Sequence, residues 1–161
     1  MTFFERRERG YLITTDPGRL DLDAIHAYLV RSYWSEGIPK SLVARSIAGS
    51  LCFGLYSEAN GTGGTEGSAQ VGFARVISDR ATFAYLCDVY VLEEHRGQGL
   101  GRWLVETLLA HPELGGLRRF ALATRDAHEL YARYGFTPLA RPQTFMEIAR
   151  PGLYKSQGAQ P

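Results

Sequence analysis

The sequence predicts a single domain of mixed α/β class, in which strands and helices share a mixed sheet. Two observations carry this. Short apolar or alternating segments of strand type are interleaved with four segments whose apolar residues recur at helical spacing. Neither an internal repeat nor a linker interrupts the 161 residues, a length for one domain or two at most. A domain of this size buries roughly 70% of its unfolded surface, enough for a proper core.

The elements follow in order. Residues 11–15 (Tyr-Leu-Ile-Thr-Thr) read as a short strand, and Asp16-Pro17-Gly18 is a turn signal. From Leu20 to about Tyr33, Leu22, Ile25, Leu29 and Val30 fall near helical spacing, and Pro39 can open a second helix to about Ala48. Ser50 to Ser57 is a strand candidate. Glu58 to Ala69 holds four glycines and is expected to be a mobile hairpin loop. Gln70–Ser78 and Thr82–Leu92 are the strongest strand signals, joined antiparallel by a tight turn at Asp79-Arg80. Gly99–Ala110 is a helix with Leu100, Leu104, Val105, Leu108 and Leu109 in one apolar stripe, ended by His111-Pro112. Leu117–Thr124 is a strand and Asp126–Tyr134 a helix with Gly135 at its stop. Phe136–Leu139 and Thr144–Ile148 are expected as closing strands. The domain is thus placed at 1–150, and 151–161 is expected to be a frayed tail.

Composition excludes several function classes. Eighteen basic against 17 acidic residues leave a net charge of +1, which argues against a whole-protein attraction to nucleic acid or acidic membranes. No apolar run approaches the ~18 residues of a membrane span. The N-terminal residues lack the features of a secretory signal, so a cytoplasmic protein with Cys52 and Cys87 reduced is expected. His26, His95, His111 and His128 form no metal-binding spacing, and Cys87 reads as a small core residue rather than a nucleophile.

The chemistry lies in Val89-Tyr-Val-Leu-Glu-Glu-His-Arg-Gly-Gln-Gly-Leu-Gly101, where a strand enters a loop and a helix leaves it. Glycines at 97, 99 and 101 let the backbone approach a ligand closely. The first N–H groups of the helix lack intrahelical partners and face the loop, where the helix dipole favours an anion. This is a seat for a phosphate or pyrophosphate, with Arg96 and Arg102 bracketing it. The P-loop pattern is absent, and the G-x-G-x-G spacing is not that of a dinucleotide fingerprint.

Arg96-Gly97-Gln98-Gly99-Leu100-Gly101 resembles the Arg/Gln-x-x-Gly-x-Gly/Ala signature of the GNAT superfamily, the acetyl-CoA-dependent N-acetyltransferases. Ala127-His-Glu-Leu-Tyr-Ala-Arg-Tyr-Gly-Phe136 is similar to a second segment of that family. Both motifs occur in order, and the resemblance covers roughly residues 50–148. It implies a V-shaped, mostly antiparallel sheet flanked by helices. In it the strand ending at Val91 and the strand Leu117–Thr124 run parallel and splay apart. It further implies that the pantetheine arm of acetyl-CoA pairs with backbone around Val89, Tyr90 and Val91. The pyrophosphate would lie on the N–H groups from Gln98 to Arg102, with Arg96, Gly97, Gly99, Leu100 and Gly101 completing the seat.

The resemblance also implies catalytic candidates. Tyr131 matches the tyrosine that donates to the leaving thiolate, with core packing beside Tyr134 as the competing reading. Asp88 matches an aspartate of the spermidine/spermine-type enzymes, but Cys87 stands where their glutamate would be. Asp88 is therefore either a site for the amine or a water, or a carboxylate hydrogen-bonded at a strand bulge. Glu36 lies in the loop that shapes the acceptor side, where a solvated loop charge is the favoured reading; Tyr33 and Trp34 follow the first helix and either wall the acceptor pocket or pack under that helix; and Thr124 replaces a common asparagine. The expected function is transfer of acetyl from acetyl-CoA to a primary amine of a small molecule, by direct attack. A protein lysine or N-terminal amine as acceptor, and a non-catalytic acyl-CoA sensor, are the alternatives; a homodimer is left open.

Overall fold

In a computed structural model, residues 2–58 and 67–157 are described. Six strands form one sheet in sequence order: β1 (Glu5–Glu8), β2 (Tyr11–Thr14), β3 (Leu51–Glu58), β4 (Ser68–Ser78), β5 (Phe83–Val91) and β6 (Arg119–Leu122). The first five are antiparallel neighbours and β5–β6 alone is parallel. The helices are α1 (Leu22–Leu29), α2 (Lys40–Ala48), α3 (Leu100–Leu109), α4 (His128–Ala132) and α5 (Leu153–Gln157). No helix among the described residues is long and apolar enough to cross a membrane.

Period-2 alternation in the central strands sorts side chains to the two faces of the sheet. Phe53, Leu55, Val76 and Leu86 pack with Trp103, Leu104 and Leu108 of α3. Cys52, Phe73 and Tyr90 pack with Ile25 and Leu29 of α1 and Val43 of α2. Asp21 caps α1 by accepting from the Ala24 N–H at 2.9 Å. The Asp79 carboxylate accepts from the N–H groups of Ala81, Thr82 and Phe83, closing the β4–β5 turn.

One irregularity sets up the site. Arg75 pairs with Cys87 but Phe73 pairs with Tyr90, so β5 carries an extra residue at Asp88–Val89. Asp88 takes a φ of 53°, the left-handed region that aspartate tolerates better than most residues. A bulge inverts the side-chain alternation beyond it. Ala84 and Leu86 face α3, whereas Tyr90, of the same parity, faces α1.

Several expectations require correction. The segments 136–139 and 144–148 form no strand; Pro142–Thr144 is a single 3-10 turn and the rest is irregular. The 136–139 segment holds a proline at 138, which lacks the N–H a ladder needs. β1, which is charged and exposed throughout, escaped notice because an edge strand with no buried face has no hydrophobic pattern. The expected frayed tail contains α5, docked by Lys155 on Glu36 at 2.7 Å. The glycine-rich loop falls mostly at 59–66, outside the described residues, and its flanks Glu58, Ser68 and Ala69 belong to strands. Both cysteines are free thiols.

Candidate active site

β5 and β6 pair from Phe83–Arg119 to Leu86–Leu122 and no further. Beyond Leu86, β5 has β4 on one side and no strand on the other. The gap is a cavity of about 1030 Å³, lined on its β5 wall by Tyr85 to Val91 and on its far wall by Leu122 to Ala127, Leu130 and Tyr131. Its floor is the glycine loop, lined by Arg96, Gly97, Gly99, Leu100 and Gly101.

At the head of α3, Gly97 and Gly99 have φ of 79° and 80°, where a side chain is strained. The helix ladder begins with Trp103 N–H to the Gly99 carbonyl at 3.0 Å. The N–H groups of Leu100, Gly101 and Arg102 therefore have no partner within the helix, and no side chain caps this end. A Cβ built at 97, 99 or 101 meets nothing within 4 Å, so the loop borders open space rather than packing. Unpaired donors, the positive end of the helix dipole and a cradle that side chains would fill suit a pyrophosphate.

The loop is held from outside. The Arg96 guanidinium donates to the Val91 carbonyl and to the Tyr28 hydroxyl, both at 2.9 Å. Arg9 donates to the Gln98 carbonyl at 3.1 Å, and Tyr11 hydrogen-bonds His95 at 3.0 Å. These two residues from the β1–β2 hairpin were not legible in the sequence, because their partners lie more than eighty residues away. Of the residues expected at the cofactor, Val89, Tyr90, Val91, Arg96, Gly97, Gly99, Leu100 and Gly101 line the cavity. Gln98 and Arg102 do not; the Gln98 side chain turns to Tyr11 and the His95 carbonyl.

Tyr131 is buried against Phe136, and its hydroxyl has no hydrogen-bond partner among the described residues. It opens on the cavity, where burial pushes the phenol up to about 12. Asp88, also buried, is held at both oxygens: Trp34 Nε1 donates at 2.9 Å and Arg75 Nε at 2.7 Å. Cys87 donates weakly to the Arg75 carbonyl, and burial pushes its thiol up to about 12. A thiol so protonated is a poor nucleophile.

The opposite wall is aromatic. Tyr28 stacks on Tyr90 at 3.8 Å, and Tyr33 and Trp34 stand edge to face at 5.0 Å. Arg125 lies over Tyr33, 3.8 Å from its ring. Glu93 is paired with Arg31 at 2.8 Å, which holds its carboxyl down to about 2. Glu36 turns away to Lys155 and does not line the cavity. Thr124 accepts from the Ala127 N–H at 3.0 Å and so shapes the entry to α4.

Residues 48–138 match the model of the acetyltransferase (GNAT) domain family. A protein of Gibberella zeae named "Putative acetyltransferase FG08082" is 42% identical over 137 residues, covering 76% of each chain. The crystal structure of xcc2953 from Xanthomonas campestris pv. campestris, described as belonging to the GNAT family, superposes with a TM-score of 0.83. It shares 52% identity and covers 92% of this chain and 99% of that one. An acetyltransferase from Clostridium acetobutylicum, solved with acetyl-CoA, has the same fold: its TM-score is 0.57 at 16% identity, covering 86% of this chain and 94% of that one. The chain belongs to the GNAT acetyltransferase family.

Proposed function

We propose that this acetyltransferase carries acetyl from acetyl-CoA to a primary amine of a small molecule, by direct attack of the amine on the thioester. The observation that carries the reading is the row of unpaired N–H groups at Leu100, Gly101 and Arg102, beside glycines whose missing side chains leave room for the diphosphate. The thioester supplies an activated acetyl group; the protein supplies position, charge and a proton donor.

The unpaired edge of β5 from Cys87 to Val91 offers backbone groups to the pantetheine amides and to the carbonyl oxygen as charge develops on it. Tyr131 faces the same space as a neutral phenol. Full proton transfer from a group near 12 to a thiolate of ordinary pKa about 8.5 is uphill by roughly 5 kcal/mol. Tyr131 therefore acts first as a hydrogen-bond donor to the sulfur. Transfer is completed only as far as the dry site raises the thiol as well.

The acceptor side follows from Asp88. With both oxygens engaged, it is a positioning residue that holds Trp34 against the cavity. Of the other lining carboxylates, Glu93 is paired with Arg31 and Asp126 lies 3.9 Å from Arg125. The amine proton accordingly leaves through water at the mouth. For an amine of pKa about 10.4 the neutral form costs roughly 4.6 kcal/mol at pH 7, so turnover should climb with pH toward that value. The walls formed by Tyr28, Tyr33 and Trp34 suit an amine with an apolar body.

Thiol release measured against a panel of amines, amino acids and peptides tests the reading. Turnover with small primary amines above that with peptides is expected. Turnover confined to peptides would transfer the assignment to a protein amine, and tight acetyl-CoA binding with no transfer to any amine would make the domain a sensor. Gly99→Asp tests the seat itself: a carboxylate there repels the diphosphate. Calorimetry should find acetyl-CoA affinity reduced beyond detection in a folded variant, and unchanged affinity would remove the loop from the site.

A further inference from the structure

A second cavity, of about 550 Å³, lies at the end of the sheet where β3 begins and β4 turns into β5. It shares no lining residue with the first. Its size falls within the range of about 300–1,000 Å³ over which proteins hold small molecules. One wall is the N-terminal segment, which is held in place: Phe4 N–H donates to Thr15 Oγ1, and Thr15 N–H to the Phe4 carbonyl, both at 3.0 Å. Phe3, Phe4, Leu20, Ile47 and Leu51 make much of the lining apolar.

Most polar groups around this cavity are already engaged. The Thr15 hydroxyl serves Phe4. The Ser50 hydroxyl donates to the Ser46 carbonyl and accepts from Arg75. Cys52 donates weakly to the Ile47 carbonyl, and burial pushes its thiol up to about 12, so it offers a ligand no thiolate. Glu113 is paired with Arg80 at 2.9 Å.

Two donors are left over. His111, only 9% exposed, stands edge to face with Phe4 at 5.0 Å and with Phe53 at 5.7 Å. Its Nδ1 accepts from the Glu113 N–H at 3.3 Å, which puts the ring proton on Nε2. That Nε2–H has no hydrogen-bond partner among the described residues, and it is not sealed from open space as Thr107 Oγ1 is. Burial lowers the pKa of the ring and so keeps it a neutral donor. Arg80, half exposed at the rim, gives one N–H to Glu113 and keeps the rest of its fork. A headgroup made of donors would have to take Glu113 from Arg80, whereas an acceptor finds both donors free.

We propose that this cavity binds a small organic acid, its apolar body among Phe3, Phe4, Leu20, Ile47 and Leu51 and its carboxylate accepting from His111 and Arg80. A carboxylate supplies lone pairs to both donors at once and meets the guanidinium with opposite charge. The site is separate from acetyl transfer and does not rest on the acceptor assigned above.

Calorimetry with hexanoate, phenylacetate and indole-3-acetate, each against its neutral amide, is the test. Saturable one-to-one binding of at least one acid is expected, at least tenfold tighter than its amide. Ile47→Trp, which fills the apolar end, should abolish it. Arg80→Asn, at an exposed position whose positive φ asparagine tolerates, should weaken it at least tenfold even if the tryptophan variant does not fold. Gly99→Asp, in the other cavity, should leave it unchanged. Absence of saturable binding by all three acids would overturn the proposal, as would an amide that binds as tightly as its acid. Binding indifferent to a folded Ile47→Trp or to Arg80→Asn would overturn it too, and binding lost in a folded Gly99→Asp variant would place the acid in the first cavity instead.

Discussion

Tyr131 and Asp88 show how much a single side chain's surroundings decide. Both are buried at the cavity, yet one hydroxyl is free and the other group is engaged at both oxygens. Tyr131→Phe keeps the packing on Phe136 and removes only the donor. Turnover is expected to fall about a hundredfold, with acetyl-CoA affinity preserved. Wild-type turnover at saturation would take Tyr131 out of the mechanism. Asp88→Asn keeps the bulge, since asparagine also tolerates positive φ, but strands the half-buried Arg75 charge. Breaking such a pair costs about 3–5 kcal/mol. A positioning role predicts lower stability and a raised KM for the amine, with the shape of the pH–rate profile retained. Loss of that pH dependence, with kcat collapsing, would instead make Asp88 the base.

Among the elements, α3 is the one on which site and core both depend. Its stripe of Leu100, Leu104, Val105 and Leu108 is buried on the sheet, which fixes the direction in which its first N–H groups point. The same burial leaves the Thr107 hydroxyl without a hydrogen-bond partner. An unsatisfied buried polar group costs about 1–3 kcal/mol. Thr107→Val, similar in shape and equally β-branched, should therefore raise stability by about 1 kcal/mol in denaturant melts without affecting acetyl-CoA binding. A loss of stability would mean that the hydroxyl is satisfied in solution. The bulge in β5 matters in the same way, because one inserted residue turns Tyr90 toward α1 and sets it beneath Tyr28.

For the molecule as a whole, the glycine loop is tied down from two distant directions. Arg9 and Tyr11 reach it from the first hairpin, and Arg31 at the end of α1 grips Glu93. The Arg31 guanidinium holds the Glu93 carboxyl at about 2, below its ordinary 4.5. A group depressed on folding contributes stability that is present above the unfolded value and is lost as pH falls through the folded one. The melting temperature of the wild type should thus exceed that of Glu93→Gln above pH 4.5, and the gap should close as pH falls toward 2. Parallel profiles across that window would show that the pair adds nothing.

The sequence by itself determined the glycine loop with its unpaired helix N–H groups and the order of the central elements. Alternating glycines between a strand and an apolar-striped helix state their geometry locally, within one turn of chain. It also placed Tyr131 and Asp88 in one neighbourhood, through a second motif rather than through spacing. Only the tertiary structure decided that Asp88 is engaged by Trp34 and Arg75, that Arg96 braces the loop through Val91 and Tyr28, and that Arg9 and Tyr11 reach the loop from the first hairpin. Each of these rests on groups brought together from far along the chain, and no local pattern records such a meeting. The closing strands failed for the converse reason: residues 144–148 have the composition of a strand, but a strand exists only where a neighbouring edge pairs with it, and among the described residues none pairs with this segment.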